Sequence, residues 1–159
     1  MNTGVAVKKM KNFKRYFVLF LAAPLIVFFA NTASAQNNIY VMVQTVLASQ
    51  DTEYVDPQLR SLIGELQTVL RYSSYRLLDQ QKLKLKLGET GVVSLPDKRT
   101  MKITPLNMKK KRVTLKLLIL KNKKQVFQTE IQLLNQNNLV VGGPKHKNGY
   151  LLFNIKGSF

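Results

Sequence analysis

The chain of 159 residues carries 25 Lys and Arg against 8 Asp and Glu, which gives a net charge of +17. With 45% hydrophobic and 21% charged residues it can bury the core of one domain, which argues against a wholly disordered chain. The absence of Cys excludes disulfides, thiol nucleophiles and thiolate zinc sites, and a single His leaves little for catalysis or metal binding. We therefore expect no cofactor.

The first 35 residues have the three parts of a secretory signal peptide. A basic segment precedes an apolar run at residues 17–29, and the small residues Ala33 and Ala35 fit the subsites of a signal peptidase, with cleavage before Gln36. The alternative is an uncleaved anchor, but this run is shorter than the roughly 20 residues that span a bilayer. Translation could start at Met1 or at Met10, because either start leaves a complete signal.

Cleavage leaves a chain with 20 basic and 8 acidic residues, so the net charge of the exported part is +12. The basic character therefore belongs to the domain as well as to the signal. For an exported, periplasmic or secreted protein, the expected partners are anionic lipid, surface polysaccharide or an acidic envelope protein rather than nucleic acid. No transmembrane segment is expected after cleavage.

Two segments open the exported chain. Residues 39–47 are rich in β-branched and aromatic side chains and predict a strand, although a segment so close to the cleavage site could also be a loosely held arm spanning residues 36–55. A single domain then covers residues 56–159. Asp56 and Pro57 form a helix start, and apolar residues at three- and four-residue intervals predict one amphipathic helix over about residues 57–72.

Beyond Tyr75 the hydrophobic period changes to two, which is typical of strands with one buried face. Residues 112–120 and 125–134 predict a hairpin, and residues 82–87 alternate Lys with Leu. Shorter strands are predicted at residues 75–78, 92–95, 101–103, 139–141 and 150–155, with a loop at residues 142–149. The pattern predicts an α+β, mostly β fold: an antiparallel sandwich or small open barrel of about seven strands with one helix.

Several short motifs resemble a set of small exported bacterial β-rich proteins. They are the Ser-Tyr-x-Leu-Leu segment at Ser74, the Leu-Pro turn at Leu95 and the Val-Gly-Gly-Pro segment at Val141, in that order. The resemblance covers residues 56–155 and implies export and fold, not an activity. Residues 131–143 are also similar to a strand and Gly-Gly turn in the channel domain of secretins, the outer-membrane rings of Gram-negative secretion systems.

The residues that carry catalysis are nearly absent. His146 lies between two lysines and is expected to be an exposed loop residue. The carboxylates are dispersed, and most are explained as helix caps or ion-pair partners. Asp51 and Glu53 are the one close pair, so an unusual hydrolase would have to use them as its catalytic carboxylates. Gly142 and Gly143 are explained by a tight turn, because no helix follows them to complete a phosphate site.

The basic residues form three groups that could bind an anion. One group alternates along a strand, with Lys102 a possible addition, and two groups lie at opposite ends of residues 112–120, roughly 25–30 Å apart. A solvated surface that guards sheet edges is the competing explanation for each group. No aromatic residue is interleaved with the lysines, which argues against nucleic acid. The candidates are Lys82, Lys84 and Lys86; Lys109, Lys110, Lys111 and Arg112; and Lys121, Lys123 and Lys124.

The sequence thus favours an exported, non-enzymatic, envelope-associated binding or interaction module with a basic surface. The alternative is an accessory structural subunit of a bacterial envelope or secretion assembly, in which an edge strand or the N-terminal arm pairs with a partner's sheet.

Overall fold

The computed structural model describes residues 38–66 and 70–159; the predicted signal peptide, its cleavage site and Gln36 lie outside the described residues. Within this part the chain is mostly β, with one short helix preceded by a 3-10 turn at Pro57–Leu59. The elements are β1 (Ile39–Ser49), β2 (Tyr54–Val55), α1 (Arg60–Leu66), β3 (Ser74–Leu85), β4 (Gly91–Leu95), β5 (Arg99–Lys109), β6 (Arg112–Lys121), β7 (Lys124–Leu134), β8 (Asn138–His146) and β9 (Gly149–Ser158).

The strands form two sheets. Sheet A has the order β2-β3-β1-β9-β8 and sheet B the order β4-β5-β6-β7, and every ladder is antiparallel except the two-residue pairing of β2 with β3. From β3 to β9 the chain runs as a meander, and β1 lies between β9 and β3. The strand order is therefore that of an open barrel divided into two sheets, which confirms the predicted mostly β class with a sandwich or open barrel.

The two sheets pack face to face through alternate side chains of their strands. Val41 and Val43 of β1 and Phe153 of β9 meet Leu115 and Leu117 of β6, and all five are at most 1% exposed. Each fully buried side chain of this size contributes about 1.5–3 kcal/mol relative to an exposed one. The two-residue period that predicted these strands is thus the period with which they fill the core.

One corner between the sheets is closed by a side chain instead of a ladder. The amide of Gln81 in β3 donates to the backbone carbonyl of Ser94 in β4 at 2.9 Å and accepts from the Ser94 N–H at 3.1 Å. Both backbone groups of Ser94 are satisfied in this way, as a neighbouring strand would satisfy them. At the other corner, β7 forms a ladder with β6 and none with β8 among the described residues.

A second, smaller apolar cluster lies on the outer face of sheet A. Leu59 and Ile63 pack there with Val46 and Ala48 of β1 and with Tyr75 of β3. Asp56 caps the start of the helical segment by accepting the Gln58 N–H at 3.0 Å. The amphipathic segment therefore covers one end of sheet A.

The helix is shorter than the prediction of residues 57–72. Within the described residues α1 ends at Leu66, residues 67–69 lie outside the description, and the chain from Leu70 onward is not helical. The backbone carbonyl of Leu70 accepts the Tyr75 hydroxyl at 2.8 Å, and the Ser73 N–H donates to Ser49 at 3.1 Å. The Ser73 bond attaches this segment to the end of β1, and the Tyr75 hydroxyl holds the backbone at Leu70 beside the start of β3.

The predicted loop at residues 142–149 and the tight turn at Gly142 and Gly143 are wrong. β8 continues to His146 through a bulge between Gly142 and Lys145, and only the Lys147–Asn148 turn precedes β9. Gly143 is required by packing, because a Cβ at this position would lie 2.4 Å from Cε2 of the buried Phe153 ring. A Cβ on Gly142 would meet nothing within 4 Å.

These two glycines provide a matched test of the core. We expect Gly143→Ala to lower the free energy of unfolding by roughly 1–3 kcal/mol, because the Phe153 ring must move into an already packed core. Gly142→Ala should change it by less than about 0.5 kcal/mol. Urea unfolding measures both, and equal effects of the two substitutions would contradict the assignment of Gly143 to close packing.

Candidate anion-binding groove

The strongest concentration of cations lies at the β5–β6 hairpin. Lys109 ends β5, Lys110 and Lys111 form the turn, and Arg112 begins β6, so four consecutive cationic residues occupy the tip. Lys110 has a φ of 52°, the left-handed backbone that a two-residue hairpin turn uses. All four side chains are exposed.

These residues border an open groove of about 720 Å³ on the outer face of sheet B. A β-bulge between Pro105 and Asn107 interrupts the register of β5 and bends that strand. The floor consists of two cross-strand rows, each with one residue from β5, β6 and β7. The rows are Lys109, Arg112 and Leu134, and Asn107, Thr114 and Gln132; Lys110 and Lys111 complete the lining.

The groove is electrostatically one-sided. Its lining contains four cations and no carboxylate, and no acid of the described residues lies within ion-pair distance of them. Lys109 is directly opposite Arg112 in the ladder, an arrangement in which like charges destabilise a sheet. The amide and hydroxyl side chains of Asn107, Thr114 and Gln132 add neutral hydrogen-bonding groups beside the charges. Such a surface can hold a phosphate, sulfate or carboxylate group by charge-assisted hydrogen bonds.

The other cationic groups are placed elsewhere. Lys121 and Lys124 are opposite each other at the far end of the β6–β7 hairpin, with Lys123 in the turn, so the structure separates them from the groove by the length of β6. Lys82 and Lys84 lie on sheet A, whereas Lys86 follows the end of β3 and its backbone N–H donates to the carboxylate of Glu89. The suggested addition Lys102 is wrong, because that residue belongs to β5 in sheet B.

His146 is not the exposed loop residue that its flanking lysines suggested. It ends β8, is 5% exposed, and its Nδ1 lies 2.7 Å from Oδ2 of Asp97 in the β4–β5 turn. Arg99 donates from Nη1 to the same oxygen at 3.0 Å and from Nη2 to the backbone carbonyl of Lys145 at 3.1 Å. One carboxylate of sheet B therefore joins two side chains that connect the sheets.

The polar cluster of Asp97, Arg99 and His146 serves as an inter-sheet clamp. The hydrogen bond from His146 lowers the pKa of Asp97, and the charges of His146, Arg99 and Lys121 lower it further. Within the described residues no Ser or Thr hydroxyl bonds the imidazole, so the cluster contains an orienting carboxylate without a nucleophile. The sequence did not indicate the contact between Asp97 and His146, because these residues are 49 positions apart and meet only through folding.

Asp51 is also engaged in local structure. Asp51 accepts hydrogen bonds from the Ser49 hydroxyl at 3.0 Å and from the Asn148 amide at 2.6 Å, which ties the end of β1 to the β8–β9 turn. The described residues contain no group of three or more His, Asp or Glu side chains that could hold a metal ion. No helix in the described part of the chain is long and apolar enough to cross a membrane.

Comparisons with known proteins found no relative of this chain. Neither a family model, nor a curated protein, nor a solved structure matches the chain.

The clamp predicts a specific acid dependence of stability. Because the folded-state pKa of Asp97 is lower than its ordinary value of 3.8, its contribution is complete above about pH 4 and is lost as the pH falls through the lowered value. We expect Asp97→Asn to lower the melting temperature at neutral pH and to flatten its decline below pH 4. Glu130→Gln, which removes an exposed carboxylate, is the control and should follow the parent protein. Parallel pH profiles for Asp97→Asn and the parent would contradict the clamp.

Proposed function

We propose that this protein is an exported, non-enzymatic binding module of the bacterial envelope that holds anionic groups in the groove of sheet B. The observation that carries the proposal is the groove itself, in which four cations converge without a neighbouring carboxylate. The export signal expected from residues 1–35 supports an extracytoplasmic partner.

The like-charge pair of the groove gains from a bound anion. In the free protein Lys109 and Arg112 repel each other across the ladder, as Lys121 and Lys124 do, and the groove pair also has the neutral side chains of Asn107, Thr114 and Gln132 beside it. An anion between the two side chains changes this balance, since it neutralises both and replaces repulsion with two charge-assisted contacts. Affinity for a polyanion should then fall as salt is added, because the groove is open to solvent.

The sheet supplies a matched pair of variants. Lys109→Gln/Arg112→Gln neutralises the cross-strand pair in the groove, and Lys121→Gln/Lys124→Gln neutralises the corresponding pair at the far end of the β6–β7 hairpin. At about 1 kcal/mol per cation, the groove variant should bind dextran sulfate roughly 30-fold more weakly than the parent. The far-end variant should lose far less affinity, and the groove variant should not unfold more easily in urea.

Binding to immobilised dextran sulfate at several salt concentrations measures this difference, with uncharged dextran as the blank. Equal losses in the two variants would contradict the proposal, because net charge alone would then account for binding. Binding that does not change between low and high salt would contradict it as well.

An accessory structural subunit is a second candidate, favoured by the outer edge of β7. This strand has a ladder on one side only among the described residues, and an extended segment of a partner can add to such an edge. A photo-crosslinker at the exposed Val126 should then form a covalent adduct with one envelope protein in intact cells, whereas one at Thr100 of β5 should not. Adducts from both positions, or from neither, would contradict this candidate.

A further inference from the structure

The outer face of sheet A is covered at one end only. The apolar cluster with Leu59 and Ile63 lies over Val46 and Ala48, in the second half of β1. In the first half of β1, Tyr40 and Met42 point to the same side as Val46, because side chains of a strand alternate. Tyr40 is 50% exposed and Met42 is half-buried.

Lysines surround this uncovered area. In the register of sheet A, Lys84 is opposite Tyr40, and Met42 lies between Lys82 of β3 and Lys156 of β9. The Lys84 Nζ atom is 5.9 Å from the centroid of the Tyr40 ring, within the range of a cation–π contact. We call Tyr40, Met42, Lys82, Lys84 and Lys156 the Tyr40 face.

The Tyr40 face is cationic and without an acidic partner. Its three lysines are exposed, and no carboxylate of the described residues forms an ion pair with any of them. Tyr40 is its only exposed large hydrophobic side chain among the described residues. A membrane-binding surface buries several large apolar side chains, so this face is poorly suited to a bilayer.

A row of amide side chains borders the face toward the covered end of the sheet. The Asn138 amide donates to Asn154 at 3.1 Å, Asn154 donates to Gln44 at 2.8 Å, and Gln44 donates to Gln80 at 2.9 Å. The row crosses β8, β9, β1 and β3, and its two middle members are at most 8% exposed. Asn138 and Gln80, at its ends, are exposed and can offer polar atoms to a ligand.

We propose that the Tyr40 face is a second binding site, and that its ligand is an anionic sugar unit of a polysaccharide. The Tyr40 ring offers a flat apolar surface to the face of a sugar ring, the lysines pair with its carboxylate, sulfate or phosphate substituents, and the exposed amides bond its hydroxyl groups. This combination distinguishes the face from the groove of sheet B, whose lining contains no aromatic residue.

The two sites point in opposite directions. Sheets A and B are packed through their inner faces, so the Tyr40 face and the groove lie on opposite outer surfaces of the sandwich. One bilayer can contact only one of them, whereas two polymer chains can occupy both. The protein should therefore cross-link an anionic polysaccharide, a consequence that rests on the proposed function of the groove.

Isothermal titration calorimetry with a heparin hexasaccharide measures the number of sites, with maltohexaose as the uncharged control. The parent protein should bind two hexasaccharides per chain and the control sugar not at all. Lys82→Gln/Lys156→Gln should bind one, Lys109→Gln/Arg112→Gln should bind one, and Lys121→Gln/Lys124→Gln should bind two. Tyr40→Leu should weaken the site that Lys82→Gln/Lys156→Gln removes, because it keeps an apolar group and loses the ring.

Cross-linking is measured by light scattering of long-chain dextran sulfate, which the parent protein should aggregate and each single-site variant should not. One site in the parent, lost only in the groove variant, would overturn the Tyr40 face and leave the proposed function intact. One site lost only in the Tyr40-face variant would overturn the groove instead. Tighter binding of a thymidine oligonucleotide of equal charge, or of phosphatidylglycerol vesicles, would overturn the saccharide as ligand.

Discussion

The position of β1 between β3 and β9 is the constraint on which the rest of the structure depends. β1 forms ladders of ten or more residue pairs on both sides, with strands that begin 35 and 110 residues after its own first residue. Without it, the meander from β3 to β9 would have no strand to join its ends, and the inner faces of the two sheets would lack Val41 and Val43. Closing such distant contacts is entropically costly, and burial of the core offsets that cost.

The same strand also organises the chemistry of the surface. Its alternate residues fill the core on one side and, on the other, divide sheet A into a covered end and the Tyr40 face. Gln44 marks the border, because its amide has partners on both neighbouring strands. A strand paired on both sides offers no edge to another chain, so within the described residues the free ladder edges belong to the outermost strands of the two sheets, β7 and β8 among them.

The cations of this basic domain repel one another, and many of them are nevertheless concentrated at particular places. Hairpin ends and one sheet face carry many of them, while Asp56 serves as a cap, Asp51 as a turn anchor and Asp97 as the centre of the inter-sheet clamp. Because these acids are engaged in structural contacts, they do not neutralise the lysines of the groove or of the Tyr40 face. The surface is therefore left free to attract anions at the same time as the fold remains tied together.

Local sequence patterns predicted much of the secondary structure and the fold class. Alternating Leu and Lys predicted strands and their buried faces, Asp56 and Pro57 predicted the helix start, and the mostly β sandwich or open barrel follows from both; compartment and function remain predictions. The end of α1, the burial of His146 and the reason for Gly143 were mispredicted because each depends on a contact that the local pattern does not show: Leu70 with Tyr75, His146 with Asp97, and Gly143 with Phe153. Likewise, none of the three basic groups considered as anion sites contains an aromatic residue, but pairing of β1 with β3 puts Tyr40 beside Lys84. Periodicity determined which side chains are buried in each strand, and only the tertiary structure decided which strands become neighbours, because cross-strand contacts are set by register and closure and not by local sequence.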